Sequence, residues 1–253
     1  MTARTKTYFK VFGLTDVGKV REKNEDKFWI DKKGTFLAIV DGMGGHKAGD
    51  VASEKAIELL QSVFSEKELV SFKDKGISPD TFLKEGLILI SQKIHKMGEK
   101  NVEFEGMGCT AAVAYLDKNI VHSCHVGDSR IYVCTKKKIH QLGFDHSFVA
   151  EKLKKGEISK DGARQSSYRN ILTMSLGMPG LVLPEYNKTR IKPGDCLLLC
   201  SDGLWDMLQD EKIHEIIMAS ENPKSICENL ILEANLSGGN DNITVIALLY
   251  DSN

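Results

Sequence analysis

Apolar residues recur along this chain with two spacings, and the spacing switches in blocks. Short β-type runs come first, at Tyr8 to Leu14, Lys27 to Ile30 and Phe36 to Val40. Ala52, Ala56, Leu59, Leu60 and Val63 then follow the 3.6-residue period and predict a helix. Ser65 to Ser78 is charged and aperiodic, and reads as a connection. Ser78-Pro79 supplies an N-cap and a first-turn proline for a second helix, with Phe82, Leu87, Ile90, Ile94 and Met97 as its stripe.

The middle of the chain turns β-rich. Thr110 to Leu116, Ile120 to Val126 and Ile131 to Cys134 are split by Asp117-Lys118-Asn119 and Gly127-Asp128, a pattern that predicts an antiparallel meander. Ser147 to Lys155 reads as a short helix, followed by a polar stretch through Arg169 with little periodicity. Asp195 to Cys200 and Ile243 to Leu249 read as strands. Between them Glu211 to Ala219 and Pro223 to Ala234 read as helices, the second with Asn222 as N-cap. Strands grouped in this way, rather than alternating singly with helices, favour antiparallel sheets covered by helices, an α+β architecture. No composition break divides residues 1–253, so one domain is expected.

Composition narrows the class. Lys and Arg total 34 against 35 Asp and Glu, a net charge of -1, so the basic excess of a nucleic-acid or anionic-membrane surface is missing. The apolar runs are too short to span a bilayer, and Met1 to Lys10 lacks the apolar core of a secretory signal. The six cysteines show no paired metal-ligand spacing, and several lie in strand-like runs where Cys acts as a small hydrophobe. A reduced, cytoplasmic, monomeric protein is expected.

The candidate chemistry lies where apolar runs stop at acids. Phe36 to Val40 ends at Asp41-Gly42-Met43-Gly44-Gly45, and Cys196 to Cys200 ends at Ser201-Asp202-Gly203. Asp-Gly is by itself a turn dipeptide, and Asp161-Gly162, with no strand before it, is assigned to an ordinary turn. Asp41 and Asp202 differ because a carboxylate leaving a buried strand is costly unless paired or bound to a cation. Glu25-Asp26 and Asp241-Asn242 flank strands in the same way. Oxygen ligands suit Mg²⁺ or Mn²⁺. At about 4 Å, two like charges cost roughly 4 kcal/mol even at an effective dielectric of ~20, so converging acids would require a divalent cation. Arg21, just upstream, has the fork geometry that grips phosphate oxygens.

In order, these segments resemble the type 2C family of metal-dependent protein serine/threonine phosphatases, in its bacterial-like form. The matching segments are Gly18-x-Val20-Arg21-x-x-Asn24-Glu25-Asp26, Val40-Asp41-Gly42-Met43-Gly44-Gly45 and Gly106-x-Gly108-Cys109-Thr110. They continue with His125-Val126-Gly127-Asp128-Ser129-Arg130, Asp145-His146-Ser147 and Arg169-Asn170-x-Leu172-Thr173-x-x-Leu176-Gly177. Leu199 to Asp206 and Asp241 to Val245 complete the set. The resemblance implies two antiparallel sheets packed as a sandwich with helices outside, and a flap at about Ala150 to Tyr168. It implies that Asp41 bridges two Mn²⁺ or Mg²⁺ ions and that Gly42 offers its carbonyl. Asp202 and Asp241 would hold one ion, and Glu25 and Asp26 would act through bound water. Asp128 with Asp202 would hold a third, weaker ion, and Arg21 would grip the substrate phosphate. The implied reaction is direct attack on phosphoserine or phosphothreonine by a water activated between two cations. Phosphoproteins, among them a serine/threonine kinase and its targets, are the implied partners.

One departure stands out. Eukaryotic members commonly place His after the Asp-Gly pair, where it is proposed to protonate the leaving oxygen, and Met43 has no proton to give. Neither His46 nor His146 is assigned that role. Three other readings remain to be weighed. Cys124-His125-Val126-Gly127-Asp128-Ser129-Arg130 fits the Cys-x-x-Gly-x-x-Arg loop of cysteine-dependent tyrosine phosphatases, although a strand rather than a helix should follow it. A catalytically inactive scaffold should have lost a ligand, yet Asp41, Asp202 and Asp241 are present. A phosphatase of small phosphoesters would share the same centre. Lys152, Lys154, Lys155, Lys160 and Arg164 in the flap could attract acidic phosphopeptides or form a solvated face.

Overall fold

The structure is a computed structural model and describes residues 8–44 and 48–251. It begins with strands β1 (Tyr8–Asp16), β2 (Asp26–Ile30) and β3 (Phe36–Met43). Helices α1 (Ala48–Val63), α2 (Glu66–Asp74) and α3 (Pro79–Lys100) follow. Strands β4 (Gly108–Cys109), β5 (Ala111–Asp117), β6 (Ile120–Val126), β7 (Arg130–Cys134) and β8 (Ile139–Gln141) form the middle. Helices α4 (Phe148–Lys154) and α5 (Lys160–Gln165) precede β9 (Glu185–Arg190) and β10 (Cys196–Cys200). Helices α6 (Asp202–Trp205), α7 (Asp210–Ala219) and α8 (Pro223–Leu236) then lead to β11 (Ile243–Asp251).

The strands form two antiparallel sheets. One runs β1-β11-β10-β7-β8, and the other β2-β3-β5-β6-β9 with β4 paired to the end of β3. Alternation along each central strand feeds two layers at once. In β3, Leu37 and Ile39 face the opposing sheet, where they meet Leu197, Leu199, Ile246 and Leu248. Phe36, Ala38 and Val40 face α1 and α3 instead. In β10, Leu198 and both end cysteines face α6 to α8. Strands covered on both faces read as continuous apolar runs, which is why β3, β10 and β11 stand out in the sequence. The result is the expected sandwich of two sheets between two helical layers. Among the described residues, no helix is long and apolar enough to cross a membrane.

Several expectations are corrected. Ser65 to Ser78 contains α2, anchored by Leu69 and Phe72, two contacts too few to give a readable period. Asp161-Gly162 is not a turn but lies in the first turn of α5, where Ser159 caps the Gly162 amide at 3.1 Å. The three-strand meander also breaks. β5 and β6 pair as a hairpin, but β7 crosses to the other sheet and pairs with β10 and β8. The crossing falls at Gly127, whose φ of 99° suits glycine. That crossover delivers Asp128 to the end of the sandwich, where the other acids emerge.

Candidate active site

Five of the six candidate carboxylates, with Gly42 and Arg21, line one cavity of about 590 Å³ at that end. Glu25, Asp41, Asp128, Asp202 and Asp241 all contribute. Asp26 is the sixth; it is buried behind them, directly opposite Asp41 in the β2–β3 register. The two sheets share the task. Asp41 lies in β3 on one sheet, two residues before its end, Asp202 follows β10 and Asp241 precedes β11 on the other, and Asp128 sits between them on the crossover.

The loops carrying these acids are held by buried polar side chains to which the sequence reading gave no role. The Asn242 side chain accepts the Glu25 amide at 2.8 Å and donates to the carbonyls of Val17 and Lys23 at 2.9 and 2.8 Å. It thereby pins the loop that bears Arg21 and Glu25 to the start of β11. Ser201 donates to Asp26 Oδ2 at 2.7 Å and accepts the Thr244 amide at 3.0 Å. Thr110 accepts the Asp41 amide at 3.2 Å, and its hydroxyl lies 2.6 Å from that of Ser129. Asn242 and Ser201 border buried strands and Thr244 lies within one, and a buried polar residue there needs a partner. That was the available signal. Gly42 is required by close approach, because a Cβ would come within 2.2 Å of the Gly49 carbonyl oxygen in α1.

Electrostatics set the chemistry. Six carboxylates line the cavity, Glu22 being the sixth, against the two cations Arg21 and Lys23. Burial, then repulsion from Asp26, Asp202, Asp128 and Asp241, holds the Asp41 carboxyl well above its ordinary range. Asp202 is raised well above its usual range by burial and then by Asp128 and Asp241. Asp26 and Asp128 rise to about 7, with burial the leading cause in both. Glu25 also rises, through burial and then Asp50. Asp202 Oδ1 and Asp26 Oδ1 are buried without a hydrogen-bond partner in the protein. Unpartnered carboxylate oxygens crowded against like charges fit a hard divalent cation and fit little else. Arg21 is exposed at the rim, and its guanidinium donates to Asp241 Oδ2 at 2.6 Å.

The segment after β8 is tied to one of these acids. Arg164 of α5 donates to the carbonyls of Trp205 and, at 3.2 Å, Leu208, while Arg169 reaches Asp206 Oδ2 at 3.3 Å. These partners terminate or follow α6, which Asp202 opens. Trp205 in turn donates its indole N–H to the Asp128 carbonyl at 3.0 Å.

Other candidates fall away from this cavity. Cys124 lies in β6 facing the helix-side core, and burial pushes its thiol up to about 12. Arg130, the partner a thiolate mechanism would need, is held by Asp145 at 2.6 to 3.1 Å and covers the Trp205 ring at 3.7 Å. All six cysteines are free and buried. His146 stacks on His125 with ring centroids 4.9 Å apart, and burial followed by that neighbour lowers it to about 4. His125, His146 and Glu185 bring ligand atoms within 4.8 Å. However, His146 Nδ1 accepts the Gly127 amide at 3.2 Å, which leaves its proton on Nε2, the atom facing Glu185. That tautomer offers no lone pair to a metal there. His46 lies outside the described residues.

A cleft of clustered acids at the end of a two-sheet sandwich defines a hydrolase-type centre for hard cations. The family model for protein phosphatase 2C matches residues 13–152 and 179–243, and the chain belongs to that family. The serine/threonine phosphatase stp of Listeria innocua is 36% identical over 235 residues, 92% of either chain. Protein phosphatase PhpP of Streptococcus pneumoniae is 35% identical over 92% of this chain and 94% of its own. Among solved structures, serine/threonine phosphatase Stp1 of Staphylococcus aureus matches with a TM-score of 0.87 at 31% identity, over 98% of each chain. The catalytic domain of PstP, in complex with two manganese ions, matches with a TM-score of 0.80 at 28% identity over 98% of this chain and 100% of that one.

Proposed function

We propose that this protein hydrolyses phosphoserine and phosphothreonine in proteins at a centre of two divalent cations, Mn²⁺ or Mg²⁺, held in the acidic cavity. The observation that carries this reading is the convergence of Asp41, Asp128, Asp202 and Asp241 from two sheets, with Asp202 Oδ1 left unpartnered. A phosphate dianion has no electrostatic reason to enter such a cavity unless cations precede it. Bound there, the ions would neutralise phosphoryl oxygens and acidify a water for direct attack. In this reading Asp41 would serve both ions and Gly42 would offer its carbonyl, Asp202 and Asp241 would hold one ion, and Glu25 and Asp26 would support the site through bound water. Asp128 and Asp202 would take a third, weaker ion. Arg21, at the rim, grips the phosphate. The site is held in place before substrate arrives, because Asn242 and Thr110 fix the backbone of Glu25 and Asp41 and Ser201 fixes the Asp26 carboxylate.

The family model leaves residues 153–178 unmatched. This supports reading the surrounding stretch, at about 150–168, as a flap that varies with substrate on one catalytic domain of residues 1–253. Phosphoproteins, including a serine/threonine kinase, are the proposed partners of a cytoplasmic monomer. Hydrolysis of p-nitrophenyl phosphate should vanish with EDTA and return with Mn²⁺ or Mg²⁺, and N-ethylmaleimide should leave it intact. Activity that survives EDTA but dies with the alkylator would sink the reading.

A further inference from the structure

A second cavity, of about 520 Å³, lies behind the wall of the first. The wall is two strands thick. β4 pairs with Gly42 and Met43 on the cleft side, and Cys109 exchanges backbone hydrogen bonds of 3.0 and 2.8 Å with Leu176 on the other. Met43 lines the cleft, whereas Met107 and Gly177, one residue beyond each partner, line the second cavity.

Two features of this groove point to an occupant. Its rim is apolar and open to solvent. Val102, which lines it with Met107 and Pro179, is the most exposed large hydrophobic residue among those described, at 86%. Its lining carboxylates are Glu99 and Glu105, with no Lys or Arg beside them in the lining; Glu99 lies 3.5 Å from His95 Nε2, and Lys100 stands in the last turn of α3. His95 holds the opposite wall in place, with Nδ1 3.1 Å from the Gly177 carbonyl oxygen. Such a surface suits a large apolar side chain next to Lys or Arg. A second copy of the chain is a poor occupant, because a two-fold contact through this face would set the same glutamates against each other.

We propose that this groove docks an apolar-basic segment of the phosphoprotein substrate while its phosphorylated residue occupies the acidic cleft. The proposal rests on the phosphatase reading of that cleft. Two strand spacings make the wall roughly 10 Å thick. An extended chain crosses that in about three residues, so the anchor lies roughly four to six residues from the phosphorylated one.

The test uses the whole protein loaded with Mn²⁺ and matched phosphothreonine peptides. One set carries Leu-Arg about five residues from the phosphothreonine, on the N-terminal or on the C-terminal side; the other carries Ser-Glu at those places. We expect about tenfold higher kcat/KM for the Leu-Arg peptide on one side, expressed in KM. Glu99→Lys combined with Glu105→Lys should abolish that preference, and Val102→Ser should weaken it. All three substitutions lie at exposed positions outside the cleft, so p-nitrophenyl phosphate hydrolysis and the melting temperature should stay at wild-type levels. Equal kcat/KM for all peptides in the wild type, or a preference that survives charge reversal, overturns the docking site. Failure of the wild type to hydrolyse p-nitrophenyl phosphate with Mn²⁺ would instead overturn the phosphatase reading.

Discussion

The cleft and helix α5 use the same dipeptide for different ends. Asp41-Gly42 and Asp202-Gly203 stand where buried strands stop, with carboxylates crowded by Asp26, Asp128 and Asp241 and driven well above their ordinary range. Asp161-Gly162 stands in the first turn of a surface helix, where an exposed carboxylate complements the positive end of the helix. The glycines differ as well. Gly42 admits the Gly49 backbone, whereas a Cβ at Gly162 would meet nothing closer than the Ser159 hydroxyl at 3.3 Å. What a carboxylate does is set by how many others share its solvent-poor surroundings.

The largest expected effect comes from exchanging single oxygens in the two settings. Asp41→Asn should lower kcat by roughly 10²–10³-fold or more, the scale of removing one electrostatic stabiliser of a transition state. Asp161→Asn should leave kcat within a factor of two, and Cys124→Ser should largely spare activity. Comparable losses at Asp41 and Asp161 would erase the contrast.

The next effect is thermal and depends on pH. Asp26 and Asp128 titrate near 7 in the fold against roughly 3.9 when unfolded. Raised carboxyl values stabilise the fold fully below about pH 4 and lose that contribution as the pH climbs through about 7. Without divalent cations the melting temperature should therefore fall between about pH 4 and pH 7 and level off above. Mn²⁺ at a hundred times its Kd should return about 2.7 kcal/mol, a rise of roughly 5–10 °C. Scanning fluorimetry with and without EDTA reads both. A melting temperature indifferent to pH and to Mn²⁺ would separate the acids.

A smaller effect should sharpen the link between α5 and the cleft. Arg164→Ala removes the donor to the Trp205 and Leu208 carbonyls. If α5 borders the substrate path, its weaker retention should raise KM for phosphopeptides several-fold and leave p-nitrophenyl phosphate nearly unaffected; an equal loss on both substrates would make Arg164 a purely structural prop. Least of all, Arg21→Ala should raise KM more than it lowers kcat, and an unchanged KM would remove its phosphate contact.

The sequence disclosed most of the sandwich because strands buried on both faces are long apolar runs, as in Phe36 to Val40 and Cys196 to Cys200. It concealed β9, Glu-Tyr-Asn-Lys-Thr-Arg, which lies at a sheet edge with little of its surface buried. It also concealed α6, whose four residues span too little chain for any period. At the site, acids at strand ends were legible by type and position. The side chains that fix them were not. Asn242 bonds to partners more than 200 residues away in the chain, and no local pattern encodes such a contact.

The cavity draws its carboxylates from both sheets, with Asp41 on one side of the sandwich seam and Asp202 and Asp241 on the other. A cation shared across that seam is then a rivet as well as a reagent. Stripping it should loosen the sandwich at this one end, like a book losing its clasp while the spine still holds.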